Sequence, residues 1–442
     1  MSAPAGVPES ASPPAAPGSG ASLWGHRDFL LLWGGQTVSE MGSAVTQLAL
    51  PLTAVVLLKA STLQVGLLTA AATLAFALIA LPAGALVDRR PKRGVMIACD
   101  AARLVIIASV PAAWAAGVLT MAQLYIVAIT TGVCTVFFDV SYQSYLPAIL
   151  EREQLIDGNG KLGASQAVAQ LAGPGLGGGL VGAFGAAGAM AADAVSYLVS
   201  VVSLLGMRHR ELRKPVKTGD PRPSLRADIA EGLRFVLREP ILRKVVACTG
   251  TSNLFSSIAV AMDIIFLVRV LHVAPAYTGL VFAVSAVGGI AGGLLAGRLG
   301  QRIGTARIIW VSILVFGVPA FVPALAEPGW SVILVPIGFA CTFFSAVVYN
   351  VAQVSYRQAI TPPRLMGRMN AAVRWIVWGT MPLGGVIGGA LGTAIGIRST
   401  LLIGLLGSWL AGLWVYFSPL RRMRDIPETR IAPSLPRDAD WK

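Results

Sequence analysis

The sequence has few charged residues and few cysteines for its length. Only 13% of its 442 residues are charged, whereas 55% are hydrophobic, and the mean hydropathy is +0.71. So few polar side chains cannot cover the surface of a soluble globular protein of this size, and the composition therefore predicts a membrane protein. The four cysteines are far apart in apolar segments, so we expect free thiols rather than disulfides or a metal site.

Motifs for nucleotide-driven or enzymatic chemistry are also missing. The sequence has no Walker-type Gly-x-x-x-x-Gly-Lys-Ser/Thr segment, no His-Glu-x-x-His and no Gly-x-Ser-x-Gly. Gly173-x-Gly175-x-x-Gly178 has the spacing of a dinucleotide fingerprint, but no strand precedes it and Pro174 lies inside an apolar segment. We therefore expect no enzyme activity, no use of ATP, no cofactor and no metal ion.

Basic residues outnumber acidic ones, 35 to 21, which gives a formal net charge of +14. A nucleic-acid partner is not expected, because the cations lie between apolar segments rather than on one soluble face.

A membrane-spanning helix needs roughly 20 apolar residues, and twelve segments qualify. They are residues 29–58, 63–87, 95–117, 121–145, 162–184, 186–206, 242–270, 276–299, 308–326, 330–354, 367–394 and 398–417.

The distribution of Arg and Lys between loops predicts the orientation. Alternate loops, the long central loop and the C-terminal tail hold most of the cations, so both termini are expected in the cytoplasm of a multi-pass inner (plasma) membrane protein. The expected organisation is all-α. It comprises a disordered lead (1–22), two six-helix halves (23–206 and 242–420), a cytoplasmic linker (207–241) and a tail (421–442). The linker contains an amphipathic helix that either lies on the membrane surface or packs on the bundle as a connector.

A block of sequence occurs twice. Gly84-Ala-Leu-Val-Asp-Arg and Gly297-Arg-Leu-Gly-Gln-Arg share the pattern Gly-x-Leu-x-x-Arg, and 213 positions separate them. The pairs Ser141-Tyr142 and Ser355-Tyr356 lie 214 positions apart. Two repeats at nearly one offset predict a duplicated half, as in transporters whose two halves rock around a central site.

Four motifs resemble one family of transporters. The block from Gly84 to Arg93 is similar to the signature loop of the major facilitator superfamily, although Pro91 stands where a glycine is usual. Phe138-Asp139-Val140, residues 193–200 and residues 231–243 resemble its drug:proton antiporter-3 branch of macrolide, multidrug and siderophore exporters. The resemblance covers nearly the whole chain after residue 22. It implies twelve transmembrane helices and export of small molecules in exchange for protons.

The resemblance also implies a role for the signature loop, formed by Gly84, Asp88, Arg89 and Arg93. In the family this loop latches the outward-open state, with Asp88 expected against the helix that starts near Gly367. Contacts of this kind break and re-form when two halves rock. The alternative is that these charges only determine the topology.

Ionisable residues inside apolar segments are the main candidates for function, because an unpaired charge in hydrocarbon costs several kcal/mol. Glu40 lies near the middle of the first segment on a polar face, and burial favours the neutral form of a carboxyl group, so Glu40 is a predicted proton-coupling site. Asp139 in the fourth segment is the second candidate. The alternatives are a structural hydrogen bond for Glu40 and an ion pair with Arg103, Arg357 or Arg374 for Asp139.

Further charged residues are predicted to act in gates or ion pairs. Asp100 and Arg103 are three residues apart on one predicted helix and can pair. Asp263 and Arg269 are expected to form an outer gate or a salt bridge. Arg374 is expected to neutralise Asp139 or to contact an anionic group of a substrate.

Glycines and polar residues complete the predicted transport path. Gly173, Pro174 and Gly177 are expected to let helices approach closely and bend. The family arrangement implies a substrate cavity that is polar and partly aromatic, which suits an amphipathic solute. Its predicted lining is Gln36, Gln47, Tyr142, Gln166, Gln170, Asn253, Tyr349, Asn350, Trp375 and Trp378.

The sequence therefore predicts a secondary active exporter of amphipathic molecules, such as drugs, antibiotics or siderophores, that exchanges them for protons by alternating access. Its expected partners are the lipid bilayer, the solute and protons. A lysophospholipid flippase and an uncoupled facilitator on the same fold remain alternatives. A membrane scaffold or receptor is disfavoured by the polar residues in the middle of the segments.

Overall fold

The computed structural model describes residues 23–87, 90–151, 154–209, 225–362 and 365–425, and these are almost entirely helical. The predicted lead (1–22) and most of the predicted tail lie outside this range. The helices are α1 (Arg27–Leu52), α2 (Thr62–Val87), α3 (Lys92–Ala115), α4 (Met121–Ile149), α5 (Leu155–Gly206), α6 (Leu225–Arg238), α7 (Pro240–Ile265), α8 (Pro275–Ile303), α9 (Arg307–Leu314), α10 (Leu334–Ile360), α11 (Met366–Gly379), α12 (Met381–Ile395), α13 (Ile397–Leu410) and α14 (Gly412–Tyr416).

In the described part of the chain, 11 helical segments are long and apolar enough to cross a membrane. Their outer surfaces carry large apolar side chains, such as Val105 and Leu294, that are 69% and 73% exposed. A soluble monomer rarely exposes apolar surface on this scale, whereas hydrocarbon solvates it. The all-helical membrane fold predicted from composition is therefore confirmed.

The segment within α5 is much longer than one membrane crossing. It comprises 50 residues, or about 75 Å at 1.5 Å per residue, whereas the hydrocarbon core of a bilayer is about 30 Å thick. Gly185 divides it, with φ 73° and ψ 170°, so two helices meet at this residue. A positive φ is readily adopted by glycine, and Gly185 is where the sequence predicted the joint between two segments.

Proline and 3₁₀ turns explain where other predicted segments are broken. The segment 308–326 consists of α9 followed by a 3₁₀ helix at Val318–Leu325 that contains Pro323. Proline has no backbone N–H and interrupts the hydrogen-bond ladder of an α-helix. The segment 367–394 is likewise divided at Thr380, with Pro382 in the first turn of the following helix.

The duplication is visible in the backbone. Both α1 and α7 continue into a π-helical turn, at Thr53–Leu57 and Phe266–Val270. Each turn is followed by a residue with positive φ, Lys59 at 49° and His272 at 55°. The equivalent residues are 213 positions apart, which is the offset of the Gly-x-Leu-x-x-Arg repeat. The two copies therefore share a backbone feature as well as a sequence pattern.

We refer to residues 23–209 as the N-terminal part and to residues 240–425 as the C-terminal part. They meet mainly where α2 contacts α12 and α11, and where α5 contacts α8. We call the side that holds Leu23 and Arg424 the near side, and the side that holds the α1–α2 and α7–α8 loops the far side.

The amphipathic helix α6 packs against α7 and α11. Val236 is buried in a cluster with Leu242, Val246 and Met369, and Glu231 forms an ion pair with Arg368. These contacts support the connector alternative for α6 over a helix that lies only on the membrane surface.

Candidate functional site

Glycines bring the two parts into backbone contact on the far side. A Cβ on Gly66 in α2 would lie 2.5 Å from the Gly385 carbonyl oxygen, and one on Gly178 in α5 would lie 2.7 Å from the Ala276 carbonyl oxygen. Arg269 of the C-terminal part also donates from Nη2 to the carbonyl oxygen of Ala60, at 2.6 Å. These two glycine contacts and this charged hydrogen bond lie where the two parts close the far side, and we call them the far-side seam.

Glu40 lies on the polar face of α1. Gln36 donates from Nε2 to its Oε1 at 2.8 Å, and Gln36, Ser43 and Gln47 lie on the same helix face by spacing. The Ser43 hydroxyl is 2.8 Å from the Tyr197 hydroxyl. Glu40 is half-buried, and no salt bridge is found for it within the described ranges.

Asp139 on α4 belongs to the same electrostatic environment. It interacts with Glu40 and Arg103 of the N-terminal part and with Arg374 of the C-terminal part. Tyr142, one turn along α4, interacts with both carboxyl groups. The carboxyl groups on α1 and α4 are therefore close enough for the charge of one to act on the other, and the charge of Arg374 on α11 acts on Asp139 across the boundary between the parts.

Arg103 is committed to a different carboxylate. Its Nη2 lies 2.6 Å from Asp100 Oδ1, and Ser200 donates to Asp100 Oδ2 at 2.5 Å. The guanidinium also lies over the rings of Phe138 and Tyr197, 4.8 and 4.7 Å from their centroids. Asp100 and Arg103 are both buried, and they form the ion pair that their spacing in the sequence makes possible.

We expect Arg103→Met to destabilise the folded protein by about 3 kcal/mol or more, because it leaves the Asp100 carboxylate buried without its cation. The double variant Asp100→Leu/Arg103→Met should recover most of that loss. The thermal unfolding temperature of the purified protein checks both. Equal destabilisation of the single and double variants would contradict a structural ion pair.

Asp263 and Arg269 do not form the salt bridge that was considered from the sequence. Arg269 is engaged with the Ala60 carbonyl, while Oδ1 of Asp263 is buried and has no hydrogen-bond partner among the described residues. The two residues are six positions apart, which places their side chains about 120° apart around an α-helix, and a π turn intervenes. Arg269 links the two parts, so an outer gate remains a prediction for it.

A cavity of about 580 Å³ lies between the helices of the C-terminal part. Asn253, Tyr349, Asn350 and Trp378 of the predicted substrate set line it, together with Arg374. The sequence interpretation missed Thr249, Ser252 and Ser256, which extend a polar stripe along α7. Their spacing of three and four residues was the signal that identifies this stripe.

The remaining predicted substrate residues lie elsewhere. Gln36 and Tyr142 are beside Glu40 and Asp139, and the Tyr142 ring is stacked on Phe138 with centroids 6.4 Å apart. Tyr349 lines the cavity, but its hydroxyl is already 2.7 Å from that of Thr249. The others are exposed side chains outside the cavity lining, namely Gln47, Gln166, Gln170 and Trp375.

Part of the predicted latch can be described. Gly84 is a helical residue of α2, and Arg93 donates to the carbonyl oxygens of Leu204 and Leu205, at 2.8 and 2.9 Å. The Arg93 contact satisfies the last carbonyls of α5, which have no partner inside the helix. Asp88 and Arg89 lie outside the described residues, so the latch itself stays a prediction.

The glycines of α5 pack it against α1. A Cβ on Gly177 would lie 3.3 Å from Leu48 and 3.4 Å from Val45, and one on Gly173 would collide with Ala44. The helix continues through Pro174, and its non-helical dihedral angles are at Gly185. Close helix approach is therefore what Gly173 and Gly177 provide here.

Two related helical parts that meet in a glycine seam, with carboxyl groups inside membrane-spanning helices, are the plan of a membrane transporter built from two halves. The chain belongs to the transmembrane secretion effector family of the major facilitator superfamily, and the family model matches residues 19–437. Solved structures agree on the fold. An inward-facing bacterial homologue of the iron transporter ferroportin superposes with a TM-score of 0.70 at 16% identity, covering 89% of this chain and 98% of that one. The nucleoside transporter NupG superposes with a TM-score of 0.68 at 11% identity, covering 88% and 97%.

Similar sequences carry names of efflux proteins. The multidrug efflux pump Tap of Mycolicibacterium fortuitum is 26% identical over 410 residues, which cover 90% of this chain and 97% of Tap. Macrolide efflux protein A of Streptococcus pyogenes is 24% identical over 392 residues, which cover 85% and 92%. The family and these relatives are transporters, so the predictions of a transporter rather than an enzyme and of a multi-pass cell membrane protein are confirmed.

Proposed function

We propose that the protein exports amphipathic small molecules, of the kind that drugs and antibiotics represent, in exchange for protons. The names of the multidrug and macrolide efflux relatives support this substrate class. The division of α5 at Gly185 supports twelve crossings, because each of its two sections is about as long as one. With the near side rich in Arg and Lys, both termini are cytoplasmic.

The observation that carries the proton exchange is the pair of carboxyl groups at Glu40 and Asp139. They interact with each other, and Asp139 also interacts with Arg374 across the boundary between the parts. Adding a proton to this site changes its charge by one, and the attraction to Arg374 changes with it. Proton binding can therefore bias the relative position of the two parts, which is what coupling requires.

The far-side seam corresponds to an inward-facing state in this cycle. Asn350 and Arg374 line the cavity and are exposed, so the cavity opens toward a solute arriving from the near side. A volume of about 580 Å³ is in the range of drug-sized sites. Opening of the seam would then release the solute outside, and protons binding at Glu40 and Asp139 would favour the return.

The proposal is tested by transport in proteoliposomes under an imposed proton gradient, with a macrolide, a tetracycline, a siderophore and a lysophospholipid as solutes. Uphill movement of an antibiotic that stops when an ionophore collapses the gradient is the expected result. Equal movement with and without the gradient would leave an uncoupled facilitator. Movement of the lysophospholipid alone would identify a flippase instead.

A further inference from the structure

One face of α7 forms a polar stripe that ends at a carboxyl group. Thr249, Ser252, Asn253 and Ser256 are followed on the same face by Asp263, and all five line the cavity of the C-terminal part. From Thr249 to Asp263 the helix rises by about 21 Å, so the cavity extends along most of the membrane-spanning length of α7. Asp263 lies at its far-side end.

The charged groups of this cavity are separated along its length. Arg374 is on the near-side half of the membrane span Met366–Ile395, and Arg357 is close to the near-side end of α10. Arg269, the cation nearest in sequence to Asp263, donates to the Ala60 carbonyl oxygen instead. Among the described lining residues the remaining titratable side chain is Tyr349, whose hydroxyl is 2.7 Å from that of Thr249. The far-side end therefore has a carboxyl group, one oxygen of which is buried without a hydrogen-bond partner in the described structure.

Aromatic rings surround the same region of the cavity. Phe282 of α8 and Phe339 of α10 are stacked, with centroids 5.7 Å apart and ring planes 8° from parallel. Both line the cavity, as does Phe343. Carboxylates and aromatic faces each attract a cation that has lost its water, whereas neither attracts an anion.

We propose that Asp263 anchors the positively charged group of an amphipathic organic cation, whose apolar body lies among Phe282, Phe339 and Phe343. The assignment rests on the proposed export function and adds the charge of the preferred solute. A buried carboxylate without a cation partner is costly, and a bound cation supplies the missing charge. A neutral solute of the same shape gains only the apolar contacts.

Binding to the purified full-length protein in lipid nanodiscs tests this inference. The probes are tetraphenylphosphonium, a permanent cation, and triphenylphosphine oxide, a neutral molecule with similar rings. Asp263→Asn should weaken the binding of the cation by about tenfold or more, because a desolvated charge partner is lost. It should change the binding of the neutral probe less than twofold. Asp157→Asn, which removes an exposed carboxylate paired with Lys161, is the matched control and should change neither.

Three outcomes would overturn the inference. In the first, Asp263→Asn binds the cation as the unaltered protein does. In the second, the variant loses the binding of both probes equally. In the third, the variant binds the cation normally but loses transport driven by the proton gradient. The last result would make Asp263 a proton carrier. Transport of a neutral antibiotic by the unaltered protein tests the export function by itself, and Asp263→Asn should retain that transport if Asp263 only binds cations.

Discussion

Glu40→Gln and Asp139→Asn are each expected to abolish proton-driven accumulation of the solute while leaving solute exchange intact. Moving one charge across 100 mV supplies about 2.3 kcal/mol, which corresponds to a concentration ratio of roughly 50. Each amide variant should reduce that ratio to about 1, because an amide cannot take up or release the proton. The ratio is measured in proteoliposomes under a proton gradient of that size.

The physical reason is the position of the two carboxyl groups. Glu40 and Asp139 interact with each other, so the charge on one affects proton binding by the other, and removal of either changes the common site. Arg103 interacts with both groups but is held by Asp100, so it remains a fixed positive charge near the site. Arg374 belongs to the other part, so its distance from the two carboxyl groups depends on how the two parts are arranged.

Counterflow provides the control for this prediction. Exchange of labelled for unlabelled solute without a gradient requires only binding and alternation, so both variants should retain it. Asp157→Asn should behave as the unaltered protein in both assays. Wild-type accumulation ratios in both amide variants would show that the proton site lies elsewhere. Loss of counterflow together with accumulation would indicate a structural role for the carboxyl groups.

Local sequence patterns predicted most of the helices and their joints. A run of about 20 apolar residues is sufficient for a membrane helix, because hydrocarbon forces the backbone to satisfy its own hydrogen bonds. Gly185 was identifiable as a joint because α5, taken as one undivided helix, would be longer than the membrane is thick. The π turns after α1 and α7 were not identifiable, since no residue type marks them, and they became evident only from the backbone.

The candidate site was predictable where it depends on one helix and not where it depends on several. The Glu40 face and the Asp100–Arg103 pair follow from spacing along a single helix. The partner of Arg269 is a backbone carbonyl in the other part, and a carbonyl has no signature in sequence. The absence of a hydrogen-bond partner for Oδ1 of Asp263 among the described residues could not be anticipated either, because it depends on what the neighbouring helices present.

The second large effect is expected at the far-side seam. Gly178→Leu should prevent closure of the far side and reduce transport about fivefold or more. A Cβ at this position would lie 2.7 Å from the Ala276 carbonyl oxygen and 2.9 Å from Gly279 Cα. Both are backbone atoms, which cannot move aside as a flexible side chain can. Overpacking of this kind costs about 1–3 kcal/mol, which shifts an equilibrium by roughly 5- to 150-fold.

The neighbouring residue provides a matched control. A Cβ on Gly179 would have no heavy atom within 4 Å, so Gly179→Leu makes the same chemical change one position along the same helix. Leucine is the better helix former by about 0.8 kcal/mol, so neither variant should weaken α5 itself. A loss of transport in Gly178→Leu alone would therefore come from the contact between the two parts.

Spin labels on the far side measure the seam directly. Val118 in the loop after α3 and Trp330 before α10 belong to different parts and are 65% and 85% exposed, so labels there should not disturb packing. The label distance should increase in Gly178→Leu and stay at the wild-type value in Gly179→Leu. Gly66→Leu should reproduce the increase, because a Cβ there would lie 2.5 Å from backbone atoms of α12. Unchanged distances in both seam variants would mean that these glycine contacts do not control closure of the far side.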